Sequence, residues 1–296
     1  MRICRSVLGK DSIRCPRTKT FLLEQDLGDA HREVTGHQKA ASLSMEVIEL
    51  SPAFVQHPED DLIFDHTKLI FRRQTDGQYF YARSPRHLCS ASAVDLDELK
   101  LIEMPTDHLW PVFDSRFSRA PHPLAPNSYV KRPSLIDYGD SPASCRLANQ
   151  ILSEAEICEI IKEHPHPSLA EYLGCVVEDE RITGLCFVKY EMTLAEHKKL
   201  GKPLDVGHCL QTIEDGIKHL HGLGLVHNDL NPRNIMMKDG APVIIDFDSC
   251  TRKGMELGFK TGTHGWSAAN LGHAVYDNDF YSISKIRDFL TGDRDI

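Results

Sequence analysis

Two aspartates, Asp229 and Asp246, bracket an asparagine, Asn234, in a stretch over residues 226–248 that reads VHNDLNPRNIMMKDGAPVIIDFD. Carboxylate and amide oxygens are the ligands a hard cation prefers, and a carboxylate can also take a proton from a hydroxyl. The local pattern brings these oxygens together. Lys238-Asp239-Gly240 is a turn signal between two short apolar runs, 234–237 and 242–245, so the stretch predicts a hairpin. Asn234 and Asp246 then sit at the mouths of its two strands. A surface hairpin with ordinary acidic turn residues is the alternative.

His227-Asn228-Asp229-Leu230 followed by Asn234 matches H-x-D-L-x-x-x-N, and Asp246-Phe247-Asp248 stands where D-F-G is expected. On these residues the stretch resembles a protein-kinase active site. HNDLNP and IDFDSC further resemble a group of fungal serine/threonine kinase-like proteins. The likeness implies ATP as phosphoryl donor and Mg2+ as cofactor. Phosphoryl transfer asks a protein mainly to position a hydroxyl and to hold magnesium against phosphate oxygens. In that likeness the catalytic set is Asp229, which accepts the hydroxyl proton, with Asn234 and Asp246, which are also the magnesium ligands.

Other elements must position this set. A short strand at 129–131 ends on Lys131, which resembles the V-A-I-K lysine that holds the α- and β-phosphates; a solvated lysine is the bland reading, and Arg132 beside it adds ambiguity. Residues 144–163 follow a helical period, with Leu147, Ile151, Ala155, Cys158 and Ile161 along one face. By the likeness this is the αC helix, whose glutamate pairs with Lys131. Glu156 is expected in that role from its position before His166-Pro167, with Glu154 and Glu159 as competitors and a solvated acidic face as the plain alternative. A strand pair is expected at 169–177 and 182–190, and by the likeness backbone groups near 189–193 hold the adenine. Asp205 reads as the N-cap of a helix to His221, with Leu210, Ile213, Ile217 and Leu220 on its apolar face and Gly222 or Gly224 at its end. Residues 261–266 resemble the end of an activation segment. Asp279 then either caps the next helix or accepts backbone hydrogen bonds from the catalytic loop.

Composition narrows the class. A formal net charge of -9 gives no basic footprint for nucleic acid, and no apolar run is long enough to cross a bilayer. The nine cysteines form no C-x-x-C pair and the 16 histidines no H-E-x-x-H, so neither a disulfide framework nor a zinc site is expected. An intracellular, cytoplasmic protein with reduced thiols follows. His164 and His166 in HPHP read as loop residues.

The expected fold class is α+β: a two-lobed protein-kinase-like fold with a small antiparallel-sheet N-lobe and a truncated helical C-lobe. Residues 1–44 read as a disordered basic extension, 45–126 as a strand-containing N-terminal segment, and 127–296 as the kinase-like domain, with its N-lobe at 127–191 and C-lobe at 192–296. Two runs, 68–72 and 78–82, flank Thr75-Asp76-Gly77 as a hairpin. This hairpin is expected to join the small lobe in place of missing glycine-loop strands. Residues 96–109 carry no clear period.

The chain departs from the kinase pattern in several places. No G-x-G-x-x-G precedes Lys131, the nearest earlier glycine being Gly77. Asp248 replaces the glycine of D-F-G, Asn231 the usual lysine and Asn228 the usual arginine. Without that arginine, phosphorylation of Thr261 or Thr263 is not expected to switch the protein on. Ala268-Ala269-Asn270 lacks the glutamate of A-P-E, and the chain ends at Ile296, which weighs against a peptide substrate. Three functions compete: an ATP- and Mg-dependent protein kinase acting on a Ser/Thr hydroxyl, a pseudokinase or scaffold working through a protein partner, and a small-molecule phosphotransferase of the aminoglycoside and choline kinase kind.

Overall fold

The structure is a computed structural model that describes residues 45–56, 62–141, 146–257, 262–267 and 272–292. The expected extension over 1–44, Thr261, Ala268-Ala269-Asn270 and the chain end at Ile296 lie outside the described residues. The fold is mixed α/β and divides into two units, one of Met1–Leu109 with Ser134–Cys145, the other of Trp110–Pro133 with Arg146–Ile296. No helix among the described residues is long and apolar enough to cross a membrane.

The first unit is an antiparallel meander of β1 (Met45–Gln56), β2 (Leu62–Arg73), β3 (Tyr79–Ser84) and β4 (Ile102–Met104), in that order, followed by a short helix, α1 (Thr106–Leu109). The turn expected at Thr75-Asp76-Gly77 joins β2 to β3, with Gly77 at φ 72°. Central strand β2 is buried on both faces from Thr67 to Phe71. One face packs Leu69 and Phe71 against Ala82 and Leu88. The other face includes Lys68, which has no exposed surface and must therefore be satisfied internally. Its ammonium donates to the Tyr138 carbonyl at 2.5 Å and to Asp140 Oδ1 at 2.6 Å. Glu49 on β1 works alike, accepting from Ser134 Oγ at 2.6 Å and from the Leu135 amide at 2.7 Å. These bonds draw residues 134–140 into the first unit.

The second unit opens with β5 (Ser128–Lys131), α2 (Leu147–Glu163), β6 (Tyr172–Glu178) and β7 (Arg181–Val188), the strands forming an antiparallel sheet in the order β5-β7-β6. Asp179 and Glu180 make the tight β6–β7 turn with φ of 47° and 58°, the left-handed pair that matches the twist of two antiparallel strands. Then come β8 (Met192–Thr193), α3 (Leu194–Lys199), α4 (Val206–Gly222), β9 (Leu225–Val226), β10 (Ile235–Lys238), β11 (Ala241–Ile244), β12 (Thr251–Arg252) and α5 (Tyr276–Thr291). Asp205 caps α4 by accepting from the His208 amide at 2.9 Å, and Leu210, Ile213, Ile217 and Leu220 are all buried. Gly216 lets α4 lie close on β11: a Cβ there would meet Ser168 Cβ at 2.9 Å and Ile244 Cδ1 at 3.0 Å.

Two features differ from the reading of the sequence. The hairpin of β2 and β3 pairs only with β1 and β4, so it does not extend the β5-β7-β6 sheet as expected. The division of the chain also runs elsewhere than between 126 and 127, because residues 111–113 lie against the start of β7 and 118–120 along β6. There the Ala120 amide donates to the Cys175 carbonyl at 2.8 Å and the Cys175 amide to the Ser118 carbonyl at 2.7 Å.

That approach depends on Gly174. Its φ is 138°, and a Cβ would stand 2.5 Å from the Arg119 carbonyl carbon and 2.6 Å from the Ala120 nitrogen. Backbone cannot swing away as a side-chain tip can. Gly174→Ala should therefore destabilise by about 1–3 kcal/mol. Urea unfolding measures this against Gly201→Ala, where φ is 62° but nothing lies within 4 Å; an equal loss in both variants would refute the close-approach account.

Candidate functional site

The loop between β9 and β10 carries His227, Asn228, Asp229 and Asn234, and a buried carboxylate from α5 holds it. Asp279 has no exposed surface and accepts from the His227 amide at 2.9 Å, the Asn228 amide at 2.8 Å and the His221 ring at 2.9 Å. Of the two readings of Asp279, the geometry selects the loop acceptor: Val275 is the cap residue of α5. Asn228 adopts φ 65° and is 1 % exposed. Its amide donates to the Val226 and Ser249 carbonyls, at 3.0 and 3.1 Å, while its oxygen accepts from Asn278 at 3.0 Å. Few residues other than glycine tolerate that backbone region, and asparagine is among them.

Asp229 stands at the open side of the loop. Its Oδ1 accepts from both the amide and the hydroxyl of Thr263, each at 2.7 Å, and its Oδ2 accepts from Asn234 Nδ2 at 3.1 Å. The same Asn234 amide donates to the Asp229 carbonyl at 2.9 Å, which fixes which end of the amide is turned toward Asp229. Asn231 braces the arrangement, donating to the Asp229 carbonyl at 3.1 Å and to Thr263 Oγ1 at 3.2 Å. The expected hairpin forms: β10 and β11 pair from Ile235↔Ile244 to Lys238↔Ala241.

Lys131 joins the second half of the site. Its Nζ lies 2.6 Å from Glu154 Oε1, 2.6 Å from Asp246 Oδ1 and 4.0 Å from Asp248 Oδ2. Burial alone would push its pKa down, but the three carboxylates outweigh that and raise it, so the ammonium stays charged. Burial pushes the Glu154 carboxyl up, against the pull of Lys131. Asp246 adopts φ 66°, held there by this ion pair and by the buried Phe247 that follows.

The glutamate partner is thus Glu154, and the expectation of Glu156 is corrected. Glu156 is half exposed and pairs with Arg116 at 3.0 Å, while Glu159 accepts from the Ser118 amide and hydroxyl. The reason is helical phase. At 100° per residue, Glu154 shares the buried face of Ile151, Cys158 and Ile161, whereas Glu156 is turned about 200° from it. The i+3 and i+4 spacing would have selected Glu154 from the sequence. Thr263 and Asn278 carry no comparable local signal.

Beside Lys131 and Asp246 opens a cleft of about 360 Å³, lined by Tyr129, Phe187, Val188, Met236 and Ile245 among others. It is mainly apolar with a few charged groups, Lys131, Lys189 and Asp246, the form of a small-molecule site.

Residues 139–283 match the family model of the protein kinase domain, beginning beyond Lys131. The chain is 39% identical over 79 residues to the serine/threonine-protein kinase/endoribonuclease IRE1 of Hypocrea jecorina, covering 23% of this chain and 6% of that protein. It is 25% identical over 125 residues to the serine/threonine-protein kinase TAO3 of Xenopus laevis, covering 41% and 14%. A serine/threonine-protein kinase H1 homolog of Pinctada fucata is 42% identical over 62 residues, covering 19% and 15%. The chain therefore spans only a small part of each relative. Residues 139–283 are thus similar to the protein kinase domain, and parts of the chain are similar to serine/threonine-protein kinases.

Proposed function

We propose that the chain is a phosphotransferase that uses ATP and Mg2+ to phosphorylate a serine or threonine hydroxyl, in a two-lobed kinase-like fold whose small lobe is the β5-β7-β6 sheet with α2. The observation that carries this reading is the single ammonium of Lys131 held between Glu154 and Asp246 in the lining of the cleft. Asp229 is then the proton acceptor at its carboxylate, kept in place by Thr263 and Asn234. Lys131 supplies positive charge toward the phosphates. Asn234 and Asp246 would hold magnesium through oxygen, and their chemistry fits, since the Asn234 nitrogen is committed to Asp229. Magnesium is characteristically bound by one or two protein oxygens together with substrate phosphates, so a pair of ligands is enough. Magnesium–ATP supplies the transferable phosphoryl group and a cation that neutralises charge.

The charge balance favours a strict cation requirement. Three carboxylates surround one ammonium, so bare ATP meets net negative charge. Calorimetric titration should show ATP binding with magnesium, little in EDTA, and a large loss in Asp246→Asn. Heat from neither condition would sink the reading in favour of a scaffolding pseudokinase. Transfer of labelled phosphate to a small molecule instead of a peptide would favour the aminoglycoside and choline kinase kind.

Helical phase gives a second prediction. Glu154→Gln should weaken magnesium–ATP binding about tenfold, the order of one lost charge-assisted hydrogen bond, whereas Glu156→Gln should match the unaltered chain. Equal effects would argue against the pairing.

Thr263 gives a third. Because its amide and hydroxyl both serve Asp229, a carboxylate there would face another carboxylate. Thr263→Glu should abolish phosphotransfer, Thr263→Ala should lower it about tenfold, and Thr263→Ser should retain it. An activity gain in the glutamate variant would count against this geometry.

A further inference from the structure

Residues alternate between the two faces of a strand, so Tyr129 and Lys131 of β5 share one face. Across the sheet Tyr129 is paired with Phe187, and both line the cleft with Lys131 and Asp246. The cleft thus takes its charged groups from Lys131, Lys189 and Asp246 and apolar surface from Tyr129, Phe187, Met236 and Ile245. Tyr129 is 55% exposed, and its ring has no aromatic, cationic or hydrogen-bonding partner among the described residues. A ring so exposed gives little to the core. It lies where a flat ligand attached to a charged group would be met by its face.

We propose that Tyr129 stacks on the nucleobase and supplies much of the affinity that this site has for a nucleotide. The proposal rests on the nucleotide-binding reading above. It also answers a deficit in the sequence: no glycine lies between Gly77 and Lys131, so no glycine-rich backbone precedes Lys131 to cradle phosphates. Where the phosphate end is held by fewer groups, the base end must hold more. An aromatic face accepts any base, so stacking by Tyr129 confers affinity for nucleotides with little preference between adenine and guanine.

The test titrates the full chain, Tyr129→Ala and Tyr129→Phe with magnesium–ATP, and separately with magnesium–tripolyphosphate, which has no base. Tyr129→Ala should bind ATP about tenfold more weakly, the order expected for one base–aromatic stack, while Tyr129→Phe matches the unaltered chain and tripolyphosphate binds all three alike. Unchanged ATP affinity in Tyr129→Ala overturns the proposal. So does an equal loss for both probes, which would mark a structural role. An unaltered chain that binds tripolyphosphate as tightly as ATP overturns the stacking role alone. One that binds neither overturns the nucleotide reading and this proposal together.

Discussion

The site depends on where one ammonium finds its counter-charges. Lys131 sits at the end of a four-residue strand, and its two close carboxylates come from α2 and from the residue that follows β11 and Ile245. Such a pair gains Coulomb energy and loses hydration in comparable amounts, so its worth to stability is small. Its worth to geometry is larger. The carboxylates hold this lysine in its charged form, and the lysine in turn offsets the repulsion between Glu154 and Asp246. The ion pairs thereby fix α2 relative to the end of β11, and with it the position of Asp246.

A second constraint holds the other half. Asp279 presents both carboxylate oxygens to the loop that carries Asp229, and a buried carboxylate with three donors admits few alternative arrangements. Two non-glycine residues of the site, Asn228 in this loop and Asp246 beyond β11, can then stay in the left-handed region. Strain of that kind persists only where surrounding contacts over-determine it, and here each of the two residues has such contacts.

Much of this was legible in the sequence, and the parts that were not share a cause. The β10–β11 hairpin, the α4 face and the Asp205 cap each follow from a pattern contained within a few residues. The choice of Glu154 was also present in the pattern, since it shares a face with Ile151 and Cys158, but sequence position before the HPHP loop pointed to Glu156 instead. The contact of residues 118–120 with β6 had no local signature: Gly174 looks like any strand glycine until another stretch of backbone is seen against it. The burial of Lys68 and Glu49 had no local signature either, because nothing nearby announces that residues 134–140 will return to bind them.

The departures from the kinase pattern look different once placed. Asn228 occupies a slot with almost no exposure, where its amide makes three hydrogen bonds; an arginine there would have to bury a charge or leave the slot. Asn231 still reaches Thr263 and Asp229, so the bracing of the proton acceptor survives although the positive charge does not. Asp248 is the departure with a net electrostatic effect. Its carboxylate lies 4.0 Å from Lys131 and accepts from Ser249 Oγ at 3.0 Å, and it adds negative charge to a site that receives phosphate under the proposed function. With no compensating lysine at 231, the deficit falls on the cation that accompanies the substrate. Under the proposed function, the loss of the lysine charge at 231 and the gain of a negative charge at 248 act in the same direction, toward a site that would distinguish a magnesium-bound phosphate from a free one more sharply than the kinase pattern alone would require.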